Sequence, residues 1–393
     1  MRARLLTGAS CAAVLLAQAA LAQVDTAPTV GLRDNTPRVH ALTGAAVHVA
    51  PGVVIEPGVV VLRDGLIDAV GAGVALPPDA RVWDLSGHVI YPGFIDAMTE
   101  LGLPASLRRP EPSTDESEPD PEAADPDPSS TGYWNPRVRP ETDVATVLAL
   151  EAEEMDALRE LGITAALSVP RRGVLRGQSA LVLLGDAGDP RRAVMAVRIA
   201  QHAGAELAAG NGEYPSSLMG VIALLRQALY DAEWYQAMEQ YYAENPTVER
   251  ASPNSALAAL APVVTGRQRL FYAADGELDY ARALALRDEF GFDLALVGNG
   301  YEYRQTALLA QAQVPVIVPL KFPEAPDVAS PDGALAVPLE VLEHWELAPS
   351  NAAFLAQAGV PFAFTADGIE KPKENFWSNV RTAVERGVSA DQA

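Results

Sequence analysis

From residue 163 onward the chain alternates short apolar runs with stretches of helical periodicity, and this rhythm constrains the fold more than any other feature. The apolar runs are Ile163–Val169, Ala180–Leu184, Arg269–Ala273, Asp293–Gly298, Val314–Val318 and Pro361–Thr365. Helical stretches are expected over Asp143–Leu161, Ser216–Ala243, Leu278–Phe290, Tyr303–Gln311, Ser350–Ala358 and Asn375–Arg386. Short continuous apolar strands separated by helices predict βα units around a parallel sheet buried on both faces. Periodicity alone leaves a (β/α)8 barrel and an open doubly wound sheet both open. Within the longest helix, Tyr230, Trp234, Tyr241 and Tyr242 are expected to pack in the core, the usual fate of aromatics at helical spacing.

The region before this is different. Between Arg38 and Gly87 the pattern is short strands and tight turns, with Val59–Arg63 and Leu66–Val70 flanking Asp64-Gly65, a strong hairpin signal. Arg81–Leu85, the turn at Ser86-Gly87 and the run Val89–Tyr91 complete a small β module.

Charge and the N-terminus limit partners and address. The formal charge is −22, which argues against nucleic acid as a partner, because phosphate binding needs a basic face. Part of that charge is local: Glu111–Ser130 holds eight carboxylates, five prolines and no base. Self-repulsion and a lack of apolar residues predict a solvated insertion there. Arg2 and Arg4, the apolar stretch Cys11–Ala20 and the small-x-small Ala20-Leu21-Ala22 read as a secretory leader, cut near Ala22-Gln23. The expected address is the periplasm, with no membrane span after cleavage, since the apolar run is too short. Cleavage would remove Cys11, the only cysteine, leaving a protein without disulfides.

The motif that carries chemistry runs from Val89 to Gly102: Val-Ile-Tyr-Pro-Gly-Phe-Ile-Asp-Ala-Met-Thr-Glu-Leu-Gly. It resembles the entry motif of the amidohydrolase superfamily, a first barrel strand reading Pro-Gly-apolar-apolar-Asp followed by His-x-His. The stretches Glu343–Pro349 and Phe376–Arg381 resemble its imidazolonepropionase-like branch. The resemblance, spanning roughly Val39 to Ala393, implies a TIM-type (β/α)8 barrel with a partial N-terminal β-sandwich. The implied division is a leader over 1–22, a linker over 23–37, a β-sandwich segment over 38–89 and a barrel over 90–393 with an acidic insertion over 108–132. Relatives continue past this point with more helix and further strands, so the chain, whose last stretch Val388–Ala393 is expected to be the start of another helix, reads as a fragment.

The resemblance further implies hydrolysis of amide C–N bonds in a small-molecule substrate, by a divalent metal such as zinc that lowers the pKa of a bound water. The family's ligands are two histidines after the first strand and histidines after the fifth and sixth. A carboxylated lysine often follows the fourth, and an aspartate after the eighth acts as base. Here Met98 and Glu100 stand at the first pair, Ala273-Ala274-Asp275 near the fifth strand and Gly298-Asn299-Gly300 near the sixth. Lys321 comes too late for the fourth. The aspartate survives as Asp367, the candidate base.

The five histidines agree with this gap: His40, His48 and His88 lie in the β module, and His202 and His344 are expected to be structural. A histidine-based binuclear centre cannot be built from these residues, and no metal ligand is assigned. Asp96, Glu100, Asp275 and Asp367 could converge at the C-terminal ends of the strands for metal-free acid–base work. The glycine-rich basic stretch Arg171–Gln178 lacks the spacing of a phosphate loop and is expected to lie on the surface or to line the barrel mouth. Two readings of function follow. One is an exported amidohydrolase-type hydrolase. The other is a catalytically inactive barrel that binds or scaffolds, beside a second amidohydrolase domain or as a homo-oligomer.

Overall fold

The structure is a computed structural model of the 393-residue chain, and it describes residues 38–109, 132–185, 190–208 and 213–393. The leader, the linker and most of the acidic insertion lie outside the described residues. Contacts divide the chain into one unit ending at Tyr91 and another beginning at Pro92.

The first unit is one five-stranded sheet built from β1 (Val39–Ala50), β2 (Val53–Arg63), β3 (Leu66–Gly71), β4 (Arg81–Asp84) and β5 (Val89–Ile90). The order is β3-β2-β1-β4, with β5 also pairing β1. The hairpin between β2 and β3 turns at Asp64 and Gly65, whose φ values of 50° and 81° are those of the tight turn matching strand twist. Val39, Ala41 and Val61 form its small core. His40 accepts a hydrogen bond from Trp83 Nε1 at 3.1 Å, and His48 stacks on Tyr91 with centroids 4.4 Å apart.

The second unit is mixed α/β. Its strands are β6 (Phe94–Thr99), β7 (Ile163–Ser168), β8 (Leu175–Gln178), β9 (Ala180–Leu183), β10 (Val194–Ala196), β11 (Ala200–Gly204), β12 (Arg269–Ala273), β13 (Leu294–Val297), β14 (Val316–Pro319) and β15 (Phe362–Thr365). They form two sheets, β10-β9-β7-β6 and β15-β14-β13-β12-β11-β8. Parallel ladders join β6 to β7 and run from β11 through β15.

Two features differ from a regular ring of parallel units. The stretch carrying β8 and β9 runs antiparallel both to β7 and to β11. No strand pairing joins β15 to β6; side chains bridge them, with Thr365 Oγ1 donating to Asp96 Oδ1 at 2.7 Å. Ala366 N donates to Asp96 Oδ2 at 3.1 Å. The ladder does not close, and a buried carboxylate spans the gap.

The Pro-Gly of the motif has a steric reason. A Cβ on Gly93 would lie 2.6 Å from Thr164 Cβ on β7, closer than the β-branched side chain permits, so glycine lets the start of β6 approach its neighbour. Alternation along the strands then sends residues to two buried faces. On β12, Leu270 and Tyr272 pack with Leu224, Leu225 and Leu229 of the helix Leu218–Glu244. Phe271 and Ala273 face the other way, into a cluster with Met98, Leu167, Val169, Val297 and Ile317.

Several expectations need correction. The expected helix over Asp143–Leu161 is a short 3-10 turn, Val144–Thr146, and then a helix, Ala152–Arg159. The chain between is tied elsewhere, with Ala149 N donating to Gly102 O at 2.8 Å, and Glu154 of the helix accepts from Gly102 N at 3.0 Å. Of the four helical aromatics only Tyr242 is buried; Tyr230, Trp234 and Tyr241 are 51%, 57% and 47% exposed. Leu224, Leu225, Ala228, Leu229 and Ala232 take the buried face, and the helical turn leaves those three aromatics on the far side. At the end of the described chain, Gln392 N donates to Ser389 Oγ and Ser389 N to Gln392 Oε1, closing a turn.

Candidate functional site

The carboxyl ends of β6, β7, β12 and β15 bring together most of the residues singled out in the sequence. Asp96 is 3% exposed on β6. It accepts from Met98 N at 3.0 Å in addition to its two bonds to β15. Burial, with a smaller push from Asp367, raises its carboxyl to about 6. All its bonds go to the strand ends it joins, so Asp96 is a structural carboxylate.

Glu100 and Asp367 lie at the ends of β6 and β15 and share one cation. Arg171, just past β7, is buried. Its Nη2 donates to Asp367 Oδ2 at 3.0 Å, and its Nε lies 3.6 Å from Glu100 Oε1. Arg109 adds a second guanidinium on Asp367 Oδ2, also at 3.0 Å, and donates its backbone N–H to Glu100 Oε1 at 3.0 Å. Burial nevertheless holds both carboxyls above their ordinary range; Asp367 adds to the rise at Glu100, while Arg109 and Lys321 oppose the rise at Asp367.

Asp275, beyond β12, completes the group on another side. Its carboxyl is also raised, by the protein packed around it and by Asp279, against the pull of Arg176 and Arg109. Arg176 comes from β8 and is almost wholly buried. Room for it depends on β11, because a Cβ on Gly204 would fall 2.1 Å from Arg176 Nη2. Arg109 therefore lies within electrostatic reach of both Asp275 and Asp367. Glu100 and Asp367 meet around Arg171 and Arg109, Asp275 lies within electrostatic reach of Arg109, and Asp96 holds the ends of β6 and β15 together.

Pattern reading named the run Arg171–Gln178 but gave its arginines no part in the site, and it passed over Arg109. Arg171–Gln178 is buried throughout, which removes the surface alternative of that expectation and leaves Arg171 and Arg176 among the strand ends. The available signal was the strand that precedes this run and the apolar stretch that follows it. His202, on β11, is 2% exposed and meets Phe271 edge-on with centroids 5.1 Å apart. Burial, with Arg176 beside it, depresses its imidazole to about 3, so it is neutral. His344 stacks on Tyr301 with centroids 3.8 Å apart, and its charged neighbours are Arg304, Glu302 and Glu340.

The donor set does not fit a divalent metal. Met98 is 1% exposed and turned into the apolar cluster with Leu167, Val169, Ala273, Val297 and Ile317, and a thioether suits a hard cation poorly. Glu100 and Asp367 already face guanidinium groups, so a metal would enter against like charge. Among the described residues no three His, Cys, Asp or Glu side chains are grouped as a metal site.

No family model matches the chain, and no curated protein does. Solved structures do. The chain has the fold of the amidohydrolases. It is similar to an amidohydrolase from Thermotoga maritima, with a TM-score of 0.66 and 20% identity, covering 90% of this chain and 85% of that one. A prolidase complexed with N-methylphosphonate-L-proline is similar at a TM-score of 0.46 and 15% identity, over 90% of this chain and 84% of that one. At these identities the likeness is one of fold.

Proposed function

We propose that this chain is a TIM-type barrel of the amidohydrolase kind whose strand-end site has been rebuilt as a guanidinium–carboxylate cluster, and that it works as a binding or scaffold barrel without the metal-dependent hydrolysis of C–N bonds. One observation carries this: Met98 is buried in an apolar cluster at the place of the first metal-ligand pair, while Arg171 lies between Glu100 and Asp367. The barrel reading rests on the sequence of eight strand positions from β6 to β15, with β8 and β9 sharing the third and β10 outside the series at the edge of β9. The leader-like N-terminus supports export to the periplasm, where a second amidohydrolase domain or another copy would be the partner.

A specific observation favours hydrolysis as the second reading. Glu100, Asp275 and Asp367 all have carboxyls raised above the ordinary range, as acid–base groups acting without a metal would need. One experiment separates the two. The purified protein is dialysed against metal-free buffer, assayed for bound zinc, iron and manganese, and screened on amide, cyclic amide and dipeptide substrates. The binding reading expects neither retained metal nor turnover. Turnover abolished by Asp367→Ala would establish the metal-free hydrolase, and near-stoichiometric metal would overturn the binding reading.

A further inference from the structure

The exposed aromatics of the helix Leu218–Glu244 share one outward face of that helix. Met219 is 82% exposed, and Tyr230, Trp234 and Tyr241 are each about half exposed. Ala223, Arg226, Gln227, Glu233 and Ala237 complete the same face. At 1.5 Å per residue, Met219 to Tyr241 spans about 33 Å. Large exposed apolar side chains gathered on one face of a helix mark an interaction site more often than apolar residues scattered singly.

Its chemistry is self-complementary. A two-fold axis over Tyr230 would lay a second copy of the helix antiparallel to the first, with each position meeting the one equally far from Tyr230 on the other side. Tyr230 then meets Tyr230. Arg226 meets Trp234, a guanidinium over an indole, and Gln227 meets Glu233, a donor facing an acceptor. Ala223 meets Ala237, small against small, which lets two helices approach closely. Met219 meets Tyr241. Among these helix positions no charge faces a like charge.

The central anchors are also held in place before any partner arrives. Glu289, from the helix Asp279–Phe290, accepts from Arg226 Nε at 2.7 Å and from Tyr230 Oη at 2.9 Å. The Tyr230 ring meets Phe290 edge-on with centroids 4.7 Å apart. Fixed side chains lose little freedom on association, and Tyr, Trp and Arg are the residues that dominate interfaces. Beside Tyr230 the surface dips into a groove lined by Leu218, Met219, Ile222 and Arg282, able to receive the end of the opposing helix.

From this we infer that this face is the interface of a two-fold homodimer in which Leu218–Glu244 packs antiparallel on its counterpart, centred on Tyr230. Sedimentation velocity on the purified full chain should show a dimer at about 10 μM, since interfaces of ordinary size bind at micromolar concentration or tighter. Trp234→Glu should weaken the dimer at least about 30-fold while the unfolding midpoint of the monomer stays put, because Trp234 is not part of the core.

Geometry is tested separately in a Cys11→Ser background under oxidation. Ala223→Cys mixed with Ala237→Cys should cross-link, and either variant alone should not. A monomer at all concentrations overturns the inference, including the case in which a different protein covers this face. So does a dimer unaffected by Trp234→Glu, or Ala223→Cys cross-linking to itself as readily as the mixture.

Discussion

Replacing Arg171 by methionine tests the electrostatic core of the site, and the structure sets its size. The Arg171 side chain is 6% exposed, and its partners Asp367 and Glu100 are 18% and 24% exposed. Removing one partner of a buried ion pair costs about 3–5 kcal/mol. Two features reduce that here. Asp367 keeps Arg109, and Arg171 Nη1 finds no hydrogen-bond partner among the described residues, a penalty of about 1–3 kcal/mol that methionine removes. The net destabilisation should be about 1–3 kcal/mol near neutral pH.

The pH dependence follows from the direction of the shifts. Glu100 and Asp367 titrate above their ordinary values in the fold, and losing Arg171 raises them further. A carboxyl raised by folding favours the folded state while protonated, and that contribution is lost as pH rises through the folded pKa. The deficit of Arg171→Met should therefore be small near pH 4 and largest near pH 8, on the order of the full 1–3 kcal/mol. Urea unfolding of both proteins at the two pH values, compared at constant m, measures it. A deficit that does not change with pH would refute the idea that Arg171 balances these carboxylates.

Three further outcomes are expected. Met98→His should destabilise by about 2–4 kcal/mol, since it leaves an imidazole without a partner in the apolar cluster; calorimetric titration with zinc should show no stoichiometric binding, and a micromolar site would mean that the ligand geometry survives. Gly93→Ala should cost about 1–3 kcal/mol through its clash with Thr164, and Thr164→Gly should recover part of it in a double-mutant cycle; strictly additive costs would rule out that contact. Because burial raises Asp96 to about 6, the protein should lose stability as pH rises through that value, and Asp96→Asn should flatten the slope. An unchanged slope would assign it to other groups.

The sequence by itself determined the local elements and the positions of the acids. Strand and helix periodicities depend on neighbours a few residues apart, so the hairpin at Asp64-Gly65, β12 to β15 and the helices Asp279–Phe290, Thr306–Ala312, Asn351–Gln357 and Pro372–Glu385 were legible, whereas Pro331–Ala336 and Leu339–Leu347 were not. The Pro-Gly-x-x-Asp register put Met98 and Glu100 at the end of β6, and Thr-Ala-Asp put Asp367 at the end of β15.

What faces those acids was decided only in three dimensions. Arg109 and Asp367 stand 258 residues apart in sequence and Arg171 and Asp367 196 apart, and no local pattern records pairing over such distances. The same holds for the reversed direction of β8 and β9, which is set by pairing with β7 and β11. It holds too for the helix Leu218–Glu244: periodicity shows that Tyr230, Trp234 and Tyr241 share a face, but packing against the sheet chooses which face is buried.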